Sequence, residues 1–245
     1  MKIDITFAYV FLQDGEKELY QGIYKAIITG QQMITYAKKY PPIAVNKVIK
    51  YILLDHPELF WFEGKWGYRE LENGMQIRLE YAMALELVLE ARRHLDIELE
   101  KIVQSVQGNE AQIAKQVYDW MKENISYGKV TSGQTVKDAL VTHDAVCKGM
   151  AKAYQLLLAH AGIFSVLAEG TIDGKTKHVW NVVKINEKYY HVDVATSYEE
   201  VWKCVGIEKQ EANFFGMSDE TLGKYCTMDT MQWMQFKCEE DLVEA

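Results

Sequence analysis

The spacing of apolar residues changes several times along the first half of the chain, and each change predicts an element. Ile3, Ile5, Phe7, Tyr9 and Phe11 alternate with their neighbours, which predicts a strand over residues 3–12. Leu19, Ile23, Ile27 and Ile34 fall near helical spacing and predict a helix over 16–39. It should stop before Pro41-Pro42, since the residue before a proline is pushed out of the α region. Val45, Val48, Ile49, Ile52 and Leu53 make one stripe of a second helix over 44–56, closed by Pro57. The aromatic run from Leu59 to Tyr68 reads as a hairpin turning at Gly64-Lys65. Another helix is expected over 82–106. After Gly108, Asn109 with Gln112 three residues on forms the capping pair of a helix over 110–124. The Gly108-Asn109 junction is the expected division between a mainly helical N-terminal region with a hairpin, 1–108, and a C-terminal region of different chemistry, 109–245.

Composition narrows the possible partners. The 245 residues include 27 basic and 35 acidic side chains, a formal net charge of −8. Nucleic acid and anionic membrane both require a concentrated basic face, so neither is an expected partner. No apolar run approaches the roughly 20 residues that span a bilayer. The opening Met1-Lys2-Ile3-Asp4-Ile5-Thr6 lacks the apolar block of a signal peptide, and the expected location is cytoplasmic. No nucleotide-, flavin- or metal-binding pattern is present, so no cofactor is expected. Oligomeric state is not encoded legibly.

The four cysteines, Cys147, Cys204, Cys226 and Cys238, contain no Cys-x-x-Cys pair. Neither a zinc ribbon nor a disulfide framework is written into the chain, and reduced thiols are the default. Cys147 differs from the other three in its setting. Met150, Ala151, Tyr154, Leu157, Leu158 and Ala161 stripe a helix that starts near it and ends at Gly162. A cysteine at a helix start faces free N–H groups and the positive end of the dipole, which favour the thiolate and can receive an oxyanion. Gly149 leaves room there for substrate or neighbouring backbone. The other reading is a buried packing cysteine.

The segments 177–185 and 188–194 are strand-like runs joined by Asn186-Glu187, a two-residue hairpin turn. If Ile185 faces Lys188, Val179, Val183 and Ile185 share an apolar face with Tyr190, Val192 and Val194. The opposite face then carries His178 and Trp180 together with His191 and Asp193. Trp180 lies opposite Asp193, and His178 is its diagonal neighbour, within reach of a side-chain contact. Cys147 as nucleophile, His178 as base and Asp193 as orienter would complete a triad. A register slip of one residue would separate His178 from Asp193.

These segments resemble the transglutaminase-like superfamily of papain-type thiol enzymes. The likeness rests on Val146-Cys147-Lys148-Gly149-Met150-Ala151, His178-Val179-Trp180-Asn181 and Tyr190-His191-Val192-Asp193, taken in order. Support comes from 117–127, from Thr135-Val136-Lys137-Asp138-Ala139-Leu140 and from 213–220. Met150, Val179 and Ala195 depart from the family pattern of an aromatic, an alanine and a threonine. The resemblance implies an α+β, papain-like core in which a cysteine-bearing helix packs on an antiparallel sheet. It also implies that Cys147, His178 and Asp193 are the catalytic triad, acting on an amide of a protein or peptide. Water as the second nucleophile would make a peptidase or amidase, and a lysine amine would make a transglutaminase. The alternative is a catalytically silent binding or scaffold module on the same fold.

Remaining candidates are weaker. Gln134 and Tyr127 are possible second oxyanion donors, and Trp180 is expected to shield the His178–Asp193 pair from water. His191 is assigned a supporting role, and His143 a loop position near the cleft. His56, His94 and His160 show no ligand spacing. Phe60, Trp61, Phe62, Trp66 and Tyr68 read as core, Glu239-Glu240-Asp241 as a solvated tail, and Cys204, Cys226 and Cys238 as packing residues.

Overall fold

In the computed structural model, residues 7–128, 133–205, 213–229 and 236–243 are described. The chain forms two compact units, residues 2–92 and 93–245, each considered by itself below. Among the described residues no helix is long and apolar enough to cross a membrane.

In the first unit a 3-10 turn, Ala8–Phe11, occupies part of the expected first strand, whose residues 3–6 lie outside the described residues. Side chains override the alternating pattern here. The buried carboxylate of Asp55 accepts hydrogen bonds from the backbone N–H groups of Ala8 and Tyr9 at 2.6 and 3.0 Å and from the Tyr20 hydroxyl at 2.9 Å. Burial pushes its carboxyl up to about 6, against the pull of those donors.

Helix α1, Asp14–Thr29, ends ten residues before the predicted helix does. It ends at Gly30, which takes the left-handed conformation at φ 69°, and strand β1, Met33–Tyr36, follows. The spacing of Ile34 matched the helix by coincidence. Helix α2, Pro42–Asp55, starts at the proline pair, where a missing N–H is harmless.

The expected hairpin over 59–68 is displaced. Phe60, Trp61 and Phe62 are buried in a non-strand segment, while the hairpin consists of β2, Lys65–Leu71, and β3, Gly74–Glu80, joined at Glu72-Asn73. The decisive signal was Asn73-Gly74, with Gly74 at φ 128°. The sheet order is β1-β3-β2, and Met75, Ile77 and Leu79 bury one face of β3.

Division between the units falls within α3, Leu85–Ser105. In the second unit α4, Glu110–Asn124, has the expected boundaries and the reciprocal Asn109/Gln112 cap. The short strands β4, Ser126–Tyr127, and β5, Asp144–Ala145, pair in parallel on either side of α5, Val136–Leu140. Helix α6, Cys147–His160, is buried from Gly149 to Leu158 on every side, as a helix at the centre of a domain must be. Strands β6, Ser165–Ile172, β7, Thr176–Ile185, and β8, Lys188–Val192, follow. The last elements are α7, Glu199–Val205, β9, Phe215–Met217, α8, Asp219–Leu222, and β10, Cys226–Met228. The five strands form one antiparallel sheet in the order β10-β6-β7-β8-β9, which makes the fold α+β.

Ile185 pairs with Lys188 and Val182 with His191, the register expected from the sequence, and Asn186 and Glu187 turn the chain at φ 49° and 66°. The acidic end of the chain is no free tail. Asp241 accepts from the Ser218 N–H at 2.7 Å and the Thr221 hydroxyl at 2.8 Å, and the Leu242 N–H bonds Gly216 O at 2.7 Å.

Candidate active site

Cys147 is the first residue of α6, and among the described residues no side chain caps that helix start. First-turn N–H groups have no carbonyl partner within their own helix, so they point toward whatever meets the sulfur. Neighbouring backbone fixes this end. The Val146 N–H donates to Gly133 O at 3.0 Å, and the Gly128 N–H donates to Ala145 O at 3.2 Å. Gly149 is required by the same contact. A Cβ there would collide with Gly133 O and stand 3.0 Å from Ala145 Cβ, so the open space serves backbone packing.

One face of α6 rests on the sheet through Asn181, whose side-chain N–H₂ donates to Ala151 O at 3.0 Å. Two-residue alternation then puts His178 and Trp180 on the other face of β7. His178 is 2% exposed and Asp193 1%, and His178 Nε2 lies 2.7 Å from Asp193 Oδ2. A hydrogen bond between the Cys147 and His178 side chains completes the contact, leaving Nδ1 as the ring nitrogen that serves the sulfur. Burial alone would depress the imidazole. The Asp193 carboxylate and the Cys147 contact outweigh it and push the ring up to about 10.

Asp193 is held by groups the sequence reading did not single out. Its Oδ1 accepts from the Thr196 N–H at 3.2 Å, and its own N–H bonds Phe214 O at 2.8 Å. Trp202 Nε1 donates to Thr196 O at 2.8 Å and so fixes the turn Ala195–Ser197. The Asp193-x-x-Thr196 spacing, an acid accepting from an N–H three residues on, was the available signal.

The other candidates fall around this centre. Trp180 is buried and stacks on His178 with ring centroids 5.9 Å apart and planes at 20°. Gln134 is exposed next to Gly133, and the half-buried Tyr127 ring packs 5.9 Å from Tyr198. His143 sits at φ 55° with its ring 6.0 Å from Trp120.

Cys226 and Cys238 are buried, but each lies beside a His–Asp pair, which no local pattern foretold. His178, Asp193 and Cys226 form one group and His191, Asp219 and Cys238 another, with donor atoms within 4.8 Å of one another in each. Burial, and then the Asp193 charge, raises the Cys226 thiol; burial and Asp219 do the same for Cys238. In the second group both ring nitrogens are engaged. Trp180 Nε1 donates to His191 Nδ1 at 3.1 Å, so the ring proton lies on Nε2, 2.9 Å from Asp219 Oδ1. That tautomer offers no lone pair to a metal and no base to Cys238. The Cys204 side chain lies outside the described residues.

The thiol at the start of α6 thus faces a histidine on β7 that is held by a carboxylate just past β8. Residues 99–194 match the family model of the transglutaminase-like superfamily. No curated protein matches the chain. Among solved structures, a TGase is similar at 10% identity and TM-score 0.41, over 62% of this chain and 47% of that one. A candidate cysteine protease from Cytophaga hutchinsonii is similar at 11% identity and TM-score 0.36, over 50% of this chain and 51% of that one. A candidate protease from Parabacteroides distasonis gives 13% identity and TM-score 0.29, over 52% of this chain and 35% of that one. The chain thus spans about half the length or less of these three structures.

Proposed function

We propose that residues 109–245 are the catalytic core of a thiol-dependent acyl-transfer enzyme acting on amide bonds of proteins or peptides. The observation that carries this reading is the engagement of His178 on both sides, with Asp193 on Nε2 and Cys147 at the start of α6 on the other nitrogen.

In the first step the Cys147 sulfur bonds the amide carbonyl carbon, and the oxyanion is received by the Cys147 N–H, with exposed Gln134 as second donor. The imidazolium of His178 gives its proton to the leaving nitrogen as the C–N bond breaks, and a thioester remains. In the second step His178 takes a proton from water or from an amine, which attacks the thioester. Water releases an acid, an amine forms a new amide, and the sulfur leaves with the regained proton still on His178, which restores the starting state. Asp193 keeps Nδ1 aimed at the sulfur and stabilises the charged ring. Trp180 keeps water from the pair. A free catalytic thiol fits a reducing compartment such as the cytoplasm.

Iodoacetamide at pH 6 tests the reading, with the site of labelling read by mass spectrometry. Cys147 should be alkylated rapidly while Cys226 and Cys238 stay unmodified in the native protein. Amine donors and peptide libraries should then yield acid or amide products that Cys147→Ala does not form. Labelling of wild-type Cys147 no faster than that of a simple thiol, with no product formed, would favour a silent binding module.

A further inference from the structure

Resting on the triad reading above, we infer that His191 is a positioning residue that holds Trp180, and through it the His178 ring, in the reactive arrangement. The two rings of this chain of contacts sit on adjacent strands. His191 is 0% exposed on β8, one step along the hairpin from Asp193, and faces Val182. It donates Nε2–H to Asp219 at 2.9 Å, and this bond fixes the tautomer whose Nδ1 accepts the Trp180 N–H at 3.1 Å. Trp180 is fully enclosed, so its N–H has no recourse to water, and an indole without that acceptor would carry the cost of an unpaired buried donor. The indole plane stays parallel to the His178 ring at 5.9 Å, a separation at which a charged imidazole is attracted to the ring face. The far edge of the indole is seated by Gly170, where an added Cβ would stand 2.8 Å from Trp180 Cη2. The only polar hold on the indole among the described residues is therefore His191.

Two near-isosteric variants separate this role from a merely structural one. His191→Asn puts an acceptor oxygen where Nδ1 stood and gives up Asp219. His191→Gln reaches Asp219 with its amide and withdraws the acceptor from Trp180. Alkylation of Cys147 by iodoacetamide at pH 6 should slow about fivefold in His191→Gln and stay within about twofold of wild type in His191→Asn. In a Trp180→Phe background, which has no N–H to satisfy, His191→Gln should add no further loss. The inference is overturned if His191→Asn is as slow as His191→Gln, if His191→Gln matches wild type, or if its loss persists in Trp180→Phe. His178→Ala run alongside tells the two failures apart. If His178→Ala slows alkylation and His191→Gln does not, this inference falls alone; if neither does, the triad reading falls with it. A measurement on the unmodified protein guards against misfolded variants. The Trp180 indole N–H signal should exchange slowly with solvent, and exchange within milliseconds would overturn the inference.

Discussion

The sheet carries two histidine–aspartate pairs of nearly the same length, each with a cysteine beside it. His178 meets Asp193 at 2.7 Å near Cys226, and His191 meets Asp219 at 2.9 Å near Cys238. Their electrostatics run in opposite directions. Burial depresses both rings. At His178 the carboxylate is itself buried, and its unscreened charge lifts the ring to about 10. At His191 the Asp219 side chain is 44% exposed, water screens its charge, and burial wins, leaving the ring lowered and neutral. The second nitrogen differs as well. His178 turns it toward the thiol at the start of α6, whereas His191 spends it on the Trp180 N–H. Distance between an acid and a base therefore says little about chemistry. The depth of the acid and the partner of the free nitrogen decide which pair holds a mobile proton.

The comparison can be broken most forcefully at the first pair. His178→Ala should slow alkylation of Cys147 at pH 6 by about 100-fold, because the sulfur loses the imidazole that contacts it. Asp193→Asn comes next, at about tenfold. There the His178 ring, still buried but without its carboxylate, should titrate below the ordinary histidine value of 6.5 instead of near 10, as read from its ring resonances in an NMR pH titration. A ring that still titrates near 10 in Asp193→Asn would assign the shift to something other than this pair.

Stability should show the same opposition of sign. His178 has its native value raised, so its contribution is complete below pH 6.5 and is lost as pH climbs toward about 10. The loss should amount to roughly 3 kcal/mol in urea unfolding between pH 7 and 10, and most of it should vanish in Asp193→Asn. His191 has its native value lowered, so its contribution is complete above 6.5 and is lost as pH falls below that value. A wild-type urea midpoint that stays flat from pH 7 to 10 would contradict the first half.

How much of this could be read from the sequence differs between the two pairs for a physical reason. His178 and Asp193 lie on one two-residue hairpin, so a register was enough to bring them together, and the family resemblance joined Cys147 to them. The hairpin register follows from its two-residue turn and its buried apolar face, since a slip would turn Tyr190 and Val192 away from the face of Val183 and Ile185. Asp219 and Cys238 reach His191 only through β9 and the folded-back end of the chain, contacts that no local period encodes. The N-terminal unit shows the same limit. Apolar spacing carried the helix past Gly30, and the aromatic run at 59–68 mimicked a hairpin whose true turn lay at Asn73-Gly74. Composition suggested that Glu239-Glu240-Asp241 would be free in solvent, but the Ser218 N–H and Thr221 hydroxyl bind Asp241.

The smallest expected effect is at the second acid. Asp219→Asn keeps an oxygen that accepts the His191 Nε2–H, so the tautomer and the Trp180 bond should both survive. The carboxylate it replaces is half in water, where a charge adds little to a hydrogen bond, and the cost should stay under about 1 kcal/mol by thermal unfolding. Alkylation of Cys147 should change by less than about twofold, since the charge of Asp219 has no part in holding the indole. A tenfold loss in Asp219→Asn, matching that of Asp193→Asn, would mean that the two pairs work alike. In that case the contrast between a buried acid and a screened one would not be what sets them apart.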